Sequence, residues 1–127
     1  MTAELATDRR HEGTYRCDPA QVAFVRSVVR ELLAGCPRAE DAILVASELA
    51  ANAVVHSAGD RFAVCCELYP DHVYLVTEDL GRWVPHQRDH DDRPHGLDLV
   101  NALAGPGNWA ILTSPGGHTR AWARLDY

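Results

Sequence analysis

Glu48, Asn52 and His56 follow one another at four-residue spacing. In a helix that spacing stacks them on one face, one turn apart. Their neighbours in the run Ser47 to His56 are apolar or small, so burying this polar row without partners would be costly. Asn52 offers a neutral carbonyl oxygen, which suits a magnesium ion already bearing phosphate oxygens. A nearby Glu48 can accept a hydroxyl proton or hold a water. The same three residues also fit an exposed polar stripe on an amphipathic helix.

Three further places could take part in chemistry. Glu78-Asp79-Leu80-Gly81 lies at the end of a strand-like run. A carboxylate there can accept a hydrogen bond from a base amino group, and Gly81 lets a ring approach the backbone. An ordinary turn has the same composition. Gly96 and Leu97 open a short helical run whose first N–H groups and dipole could face a phosphate. Gly116-Gly117-His118-Thr119 precedes a strand and also fits a hairpin turn. His86, His90 and His95 with Asp89, Asp91 and Asp92 are metal-ligand types. A polar surface stretch accounts for them more simply. The carboxylates would repel a bound phosphate, so they are expected to face solvent.

Positioning these residues requires a particular order of elements. Residues 1–12 read as a loose tail, and 13–127 as one domain. Gly13 to Cys17 fits a short strand. Asp18-Pro19 reads as an N-cap followed by proline at the first helical position. Val22, Phe24, Val25, Val28, Val29, Leu32 and Leu33 continue as a helical stripe to about Ala34, and Gly35-Cys36-Pro37 breaks it. A second helix is predicted from about Ala39 to His56, with small residues at Ala46, Ala50, Ala51 and Ala53. Phe62–Leu68 and Val73–Thr77 read as strands around the turn Tyr69 to His72. Leu80 to Pro94 is too polar for a core and has the length of a lid or binding loop. A helix over Gly96–Leu103 and strands over Trp109–Leu112 and Thr119–Leu125 complete the chain. The order β-α-α-β-β-lid-α-β-β predicts an α/β (α+β) two-layer sandwich, with helices on one face of a mixed, mostly antiparallel sheet.

Bulk properties narrow the function classes. The chain has 127 residues and a formal net charge of −6, with 46% hydrophobic and 24% charged residues. A domain of this length buries enough surface for a core without metals or disulfides. The charge argues against a nucleic-acid binder. All 12 basic residues are arginine, so the lysine of a P-loop is missing and phosphate contacts fall to arginine, backbone N–H groups or a metal. Cys17, Cys36, Cys65 and Cys66 lack zinc spacing and read as reduced thiols of a cytoplasmic protein. Cys65 and Cys66 should point to opposite faces of their strand. Neither a signal peptide nor an apolar run near the roughly 18 residues of a membrane span is evident.

Taken in order, these motifs resemble the N-box, G1 and G2 boxes of the GHKL ATPase superfamily, which includes gyrase, chaperone ATPases and histidine kinases. In length and wording they are similar to its anti-sigma-factor serine/threonine kinase branch. Leu44 to Ser57, LVASELAANAVVHS, resembles that branch's SELVTNAVxHS. Leu97 to Leu103 followed by Trp109 resembles GLxLVxALAxxWG, and Thr119 to Leu125 resembles KTVWARL. The likeness covers about residues 13–125.

The resemblance implies ATP and Mg²⁺ as cofactors. Asn52 would coordinate Mg²⁺, and Glu48 would be the catalytic base. Asp79 would accept the adenine amino group, with Gly81 alongside and Thr119 near the adenine. Gly96 and Leu97 would contact phosphates, and Leu80 to Pro94 would form the ATP lid. Partners would be a sigma factor or an anti-sigma antagonist, with a homodimer common in the family. Two family glycines are replaced: Trp83 stands at the second glycine of Asp-x-Gly-x-Gly, and Pro94 at the first of Gly-x-Gly. Proline removes an N–H and fixes φ. These changes leave two expectations, a protein kinase and a non-catalytic ATP-binding module of the same fold. A metal-dependent hydrolase using the lid histidines is a third and weaker reading.

Overall fold

The computed structural model describes residues 9–56, 59–80, 96–115 and 118–127. Its elements are β1 (Arg9–Arg16), α1 (Pro19–Leu32), α2 (Ala39–His56), β2 (Arg61–Leu68), β3 (His72–Asp79), α3 (Gly96–Ala104), β4 (Trp109–Thr113) and β5 (Thr119–Asp126). The strands form one five-stranded sheet in the order β1-β2-β3-β5-β4. With its three helices this makes an α+β two-layer sandwich.

Every strand pair is antiparallel, where a mixed sheet was expected. The connection through α3 brings β4 back in the direction of β3, but β5 hairpins in between them. Strands that run the same way, β1, β3 and β4 or β2 and β5, are therefore never neighbours.

Strand β1 begins at Arg9, so residues 9–12 belong to the sheet and not to a tail. Its register pairs Arg9 with Leu68 and Arg16 with Arg61. Arg10 Nε donates to Glu67 at 2.8 Å. Arg9 Nη1 donates to the carbonyls of Leu32 and Ala34 at 2.7 and 3.0 Å, satisfying acceptors left over at the end of α1.

Helix α1 starts as its sequence dictates: Asp18 is extended, and its side chain accepts from Ala20 N at 3.0 Å ahead of Pro19. Val25, Val29 and Leu33 turn inward. Phe24, assigned above to the same stripe, faces outward and is 61% exposed. It sits about 100° around the helix from Val25, off the buried face. On α2, Ala42, Ala46, Ala50 and Ala53 are buried beside Ile43, Val45 and Leu49. These small side chains let the helix backbone lie close to the sheet.

Alternation along the strands separates a covered face from an open one. Phe62, Val64, Cys66 and Leu68 of β2 are buried, as are Val73, Leu75, Thr77 and Asp79 of β3 and Thr119, Ala121, Ala123 and Leu125 of β5. Cys65 and Cys66 point to opposite faces as expected: Cys66 is buried in the core and Cys65 is half-buried on the open face. Burial pushes the Cys66 thiol up to about 12. No described helix is long and apolar enough to cross a membrane.

Candidate functional site

The buried polar side chains among the described residues are Thr77, Asp79 and Thr119, at 4%, 1% and 2% exposure. They lie on two neighbouring strands. Glu78 of β3 pairs with Arg120 of β5, so Asp79 and Thr119 stand one residue beyond that pair, at the same end of the sheet. Both side chains are on the helix-covered face. Asp79 is the one carboxylate that is fully buried among the described residues, in a position where charge is costly unless it is hydrogen-bonded.

Several bonds define this end. Asp79 pairs with Phe62 of β2. Leu80 N donates to Arg61 O at 3.2 Å before the chain leaves the sheet. The hydroxyls of Thr113 and Thr119 are 3.2 Å apart. His118 Nδ1 lies 3.2 Å from the main-chain oxygen of Asp79.

Helix α2 leads to the same end. It stops at His56, and the chain enters β2 at Arg61, beside the Phe62–Asp79 pair. Its body packs against β3 and β5. Glu48, Asn52 and His56 are all half-buried. They border the buried alanine stripe and do not form the exposed stripe considered above. Ser47 accepts a 3.1 Å bond from Arg26 Nη1, which ties α2 to α1.

Helix α3 is clamped at its C-terminal end. Arg38, just ahead of α2, donates to Leu103 O at 2.6 Å and to Asp126 O at 3.0 Å, and bonds Asp41 through Nε at 3.1 Å. Trp109 Nε1 donates to Asn101 Oδ1 at 2.8 Å. Gly105, at φ +95°, ends the helix in the left-handed conformation that glycine adopts without strain. Gly96 and Leu97 occupy the end away from this clamp, and Leu97 packs against the core.

The fold therefore brings Asp79 and Thr119 together, and directs the Asn52 end of α2 to the same edge. Apart from Leu80, the expected lid, with Gly81, Trp83 and Pro94, lies outside the described residues, as do His86, Asp89, His90, Asp91, Asp92 and His95. Among the described residues no group of three or more His, Cys, Asp or Glu could hold a metal ion. His118 was not singled out above as a site residue. Its place before Thr119 was visible, but its contact with Asp79 depends on the β3–β5 pairing.

A different polar arrangement lies on the open face. A cleft of about 320 Å³ is lined by residues including Arg10, Glu12, Cys65, Glu67, Glu78 and Arg120. Arg10 bridges Glu67 at 2.8 Å and Glu12 at 3.1 Å, and Tyr69 donates to Glu67 at 2.9 Å. Partial burial pushes the Glu67 carboxyl up, but the hydrogen bonds from Arg10 and Tyr69 outweigh it and hold the pKa below the usual value. Burial first, and then the charge of Glu67, raise the Cys65 thiol. No known family model and no curated protein matches this chain.

Proposed function

We propose that this chain is an ATP-binding regulator of the GHKL type, acting as a serine/threonine kinase on a partner protein or sequestering it in a partner switch. The observation that carries the reading is that a buried Asp79 and a buried Thr119 lie on neighbouring strands at one sheet end. The half-buried Glu48 and Asn52 stand on the helix leading to that end. A carboxylate kept from water discriminates well among ligands, because a base unable to donate to it leaves a buried charge without that bond. Asp79 would accept the adenine amino group, with Thr119 beside the ring. The partner would be a sigma factor or its antagonist.

The donor set suits Mg²⁺ carried by a nucleotide. Asn52 supplies one neutral oxygen, and the phosphates would supply others. The ion, when bound, neutralises phosphate charge. In phosphoryl transfer Glu48 would take the proton of the attacking serine hydroxyl. That oxygen would bond to the γ-phosphorus as the bond to the β–γ bridging oxygen breaks, releasing ADP.

Trp83 and Pro94 motivate a second reading. Fewer phosphate-facing glycines favour a module that holds ATP and a partner without turnover. Calorimetric titration of Mg-ATP and Mg-ADP into the unaltered chain, Asn52→Ala and Glu48→Ala separates these readings. Asn52→Ala should lose the magnesium-dependent part of the affinity. Glu48→Ala should keep binding and lose transfer to the partner. Equal nucleotide affinity in the unaltered chain and Asn52→Ala would show the metal to be elsewhere. Normal ATP binding with no transfer to a cognate antagonist would leave the non-catalytic reading.

A further inference from the structure

The register between β3 and β5 ends with Glu78 opposite Arg120. One residue further along Thr119 stands opposite Asp79, and past Thr119 the main chain of His118 is committed to the turn. His118 N donates to Ser114 Oγ at 3.2 Å, and His118 O accepts from Ser114 N at 2.8 Å. Both main-chain groups of His118 thus close the β4–β5 turn. The main-chain oxygen of Asp79 lies by the imidazole of His118, with Nδ1 at 3.2 Å. A carbonyl oxygen can only accept, so Nδ1 must carry the hydrogen. The ring is therefore the Nδ1–H tautomer or the imidazolium, and a side chain links the two strands at this end of the sheet.

We infer that His118 is the positioning residue of the proposed nucleotide site: its Nδ1–H holds the last residue of β3, and through it the Asp79 carboxylate, in register with Thr119. This rests on the nucleotide reading above. The tether acts where the chain leaves the ladder: just beyond Asp79, Leu80 N donates to Arg61 O on the β2 side. On the β5 side, the ring joins the strand bearing Asp79 to the turn that precedes Thr119. The two buried groups that would frame the base are thereby fixed relative to each other.

The chemistry of the ring makes this testable with a pair of near-isosteres. An asparagine amide can place an N–H close to the position of Nδ1, whereas glutamine reaches toward that of Nε2. Calorimetric titration of Mg-ATP should give about fivefold weaker binding for His118→Ala and His118→Gln, the size of one net hydrogen bond. His118→Asn should bind within about twofold of the unaltered chain, less than half of that loss in free energy. A role confined to stability would not separate Asn from Gln in this way, and melting temperatures of all three variants serve as the control. Nitrogen-15 spectra of the neutral ring should show Nδ1 protonated.

Binding of His118→Ala as tight as that of the unaltered chain overturns the inference, as does a neutral ring protonated on Nε2. Failure of the nucleotide reading looks different. The unaltered chain would then take up no Mg-ATP although the ring carries its hydrogen on Nδ1, and the positioning role would fall with it.

Discussion

Asp79 and Glu67 are carboxylates on adjacent strands of one sheet, and the two faces treat them differently. Asp79 points to the covered face and is 1% exposed. Glu67 points to the open face, where Arg10 and Tyr69 bond it directly. On the open face charge is neutralised locally and shared with water, so the arrangement contributes little to stability. On the covered face the carboxyl group is held where water is scarce, and where each hydrogen bond to it counts for more. Carboxylates of similar chemistry are thus a surface ion pair in one place and a recognition element in the other. What separates them is strand alternation, together with the helices that cover only one face.

If this contrast is right, substitutions on the two faces should differ in kind as well as in size. The largest effect belongs to the covered face. Phe62 is fully buried beneath the helices and stacks on Tyr15 at 5.7 Å between ring centroids. Phe62→Ala should destabilise the fold by about 3–5 kcal/mol in urea denaturation, through lost burial and the cavity left behind. A loss under about 1 kcal/mol would mean that the site strand Arg61–Leu68 is not packed as described.

Next comes Asp79→Asn, which should act on ligand and spare the fold. Mg-ATP affinity should fall about 10- to 100-fold, since hydrogen bonds to charged groups contribute about 1.5–3 kcal/mol. The melting temperature should stay close to that of the unaltered chain, because the amide keeps the size and shape of the carboxyl group. An unfolded variant would make Asp79 a structural carboxylate. A folded variant with unchanged nucleotide affinity would remove it from the base pocket.

Much of the architecture is legible in the sequence. Helix α2 spans Ala39–His56 as its periodicity and breakers implied, and the remaining helix and strand boundaries shifted by a few residues. Asp18-Pro19 marked a real N-cap because capping is a local interaction. Features that depend on pairing were not legible. Residues 9–12 look like a polar tail until Glu67 is set opposite Arg10. Phe24 looks like core until the direction of its neighbours is known. The row Glu48–Asn52–His56 could be read as buried or exposed, because helical spacing fixes which residues share a face and not what that face meets. The bond from His118 to Asp79 joins residues 39 apart in sequence, and no spacing rule reaches that far.

The smallest predicted effect lies on the open face, and its sign follows from linkage. Glu67 titrates below its ordinary value in the folded chain, because hydrogen bonds from Arg10 and Tyr69 outweigh partial burial. A lowered folded pKa stabilises the fold above the unfolded carboxylate value. That stabilisation is lost as pH falls through the folded value. Glu67→Gln should therefore melt slightly below the unaltered chain at neutral pH, by about 2 °C at most for a pair whose arginine is exposed to solvent. The gap should close as pH drops through the carboxylate range, and also as salt is added at neutral pH. Mg-ATP binding should not change, since Glu67 lies on the face opposite Asp79. Thermal melts of both proteins across that pH range, with and without salt, decide the matter. A gap that persists in acid would show that Glu67 acts through packing and not through its charge, and a large gap at neutral pH would undo the contrast between the two faces.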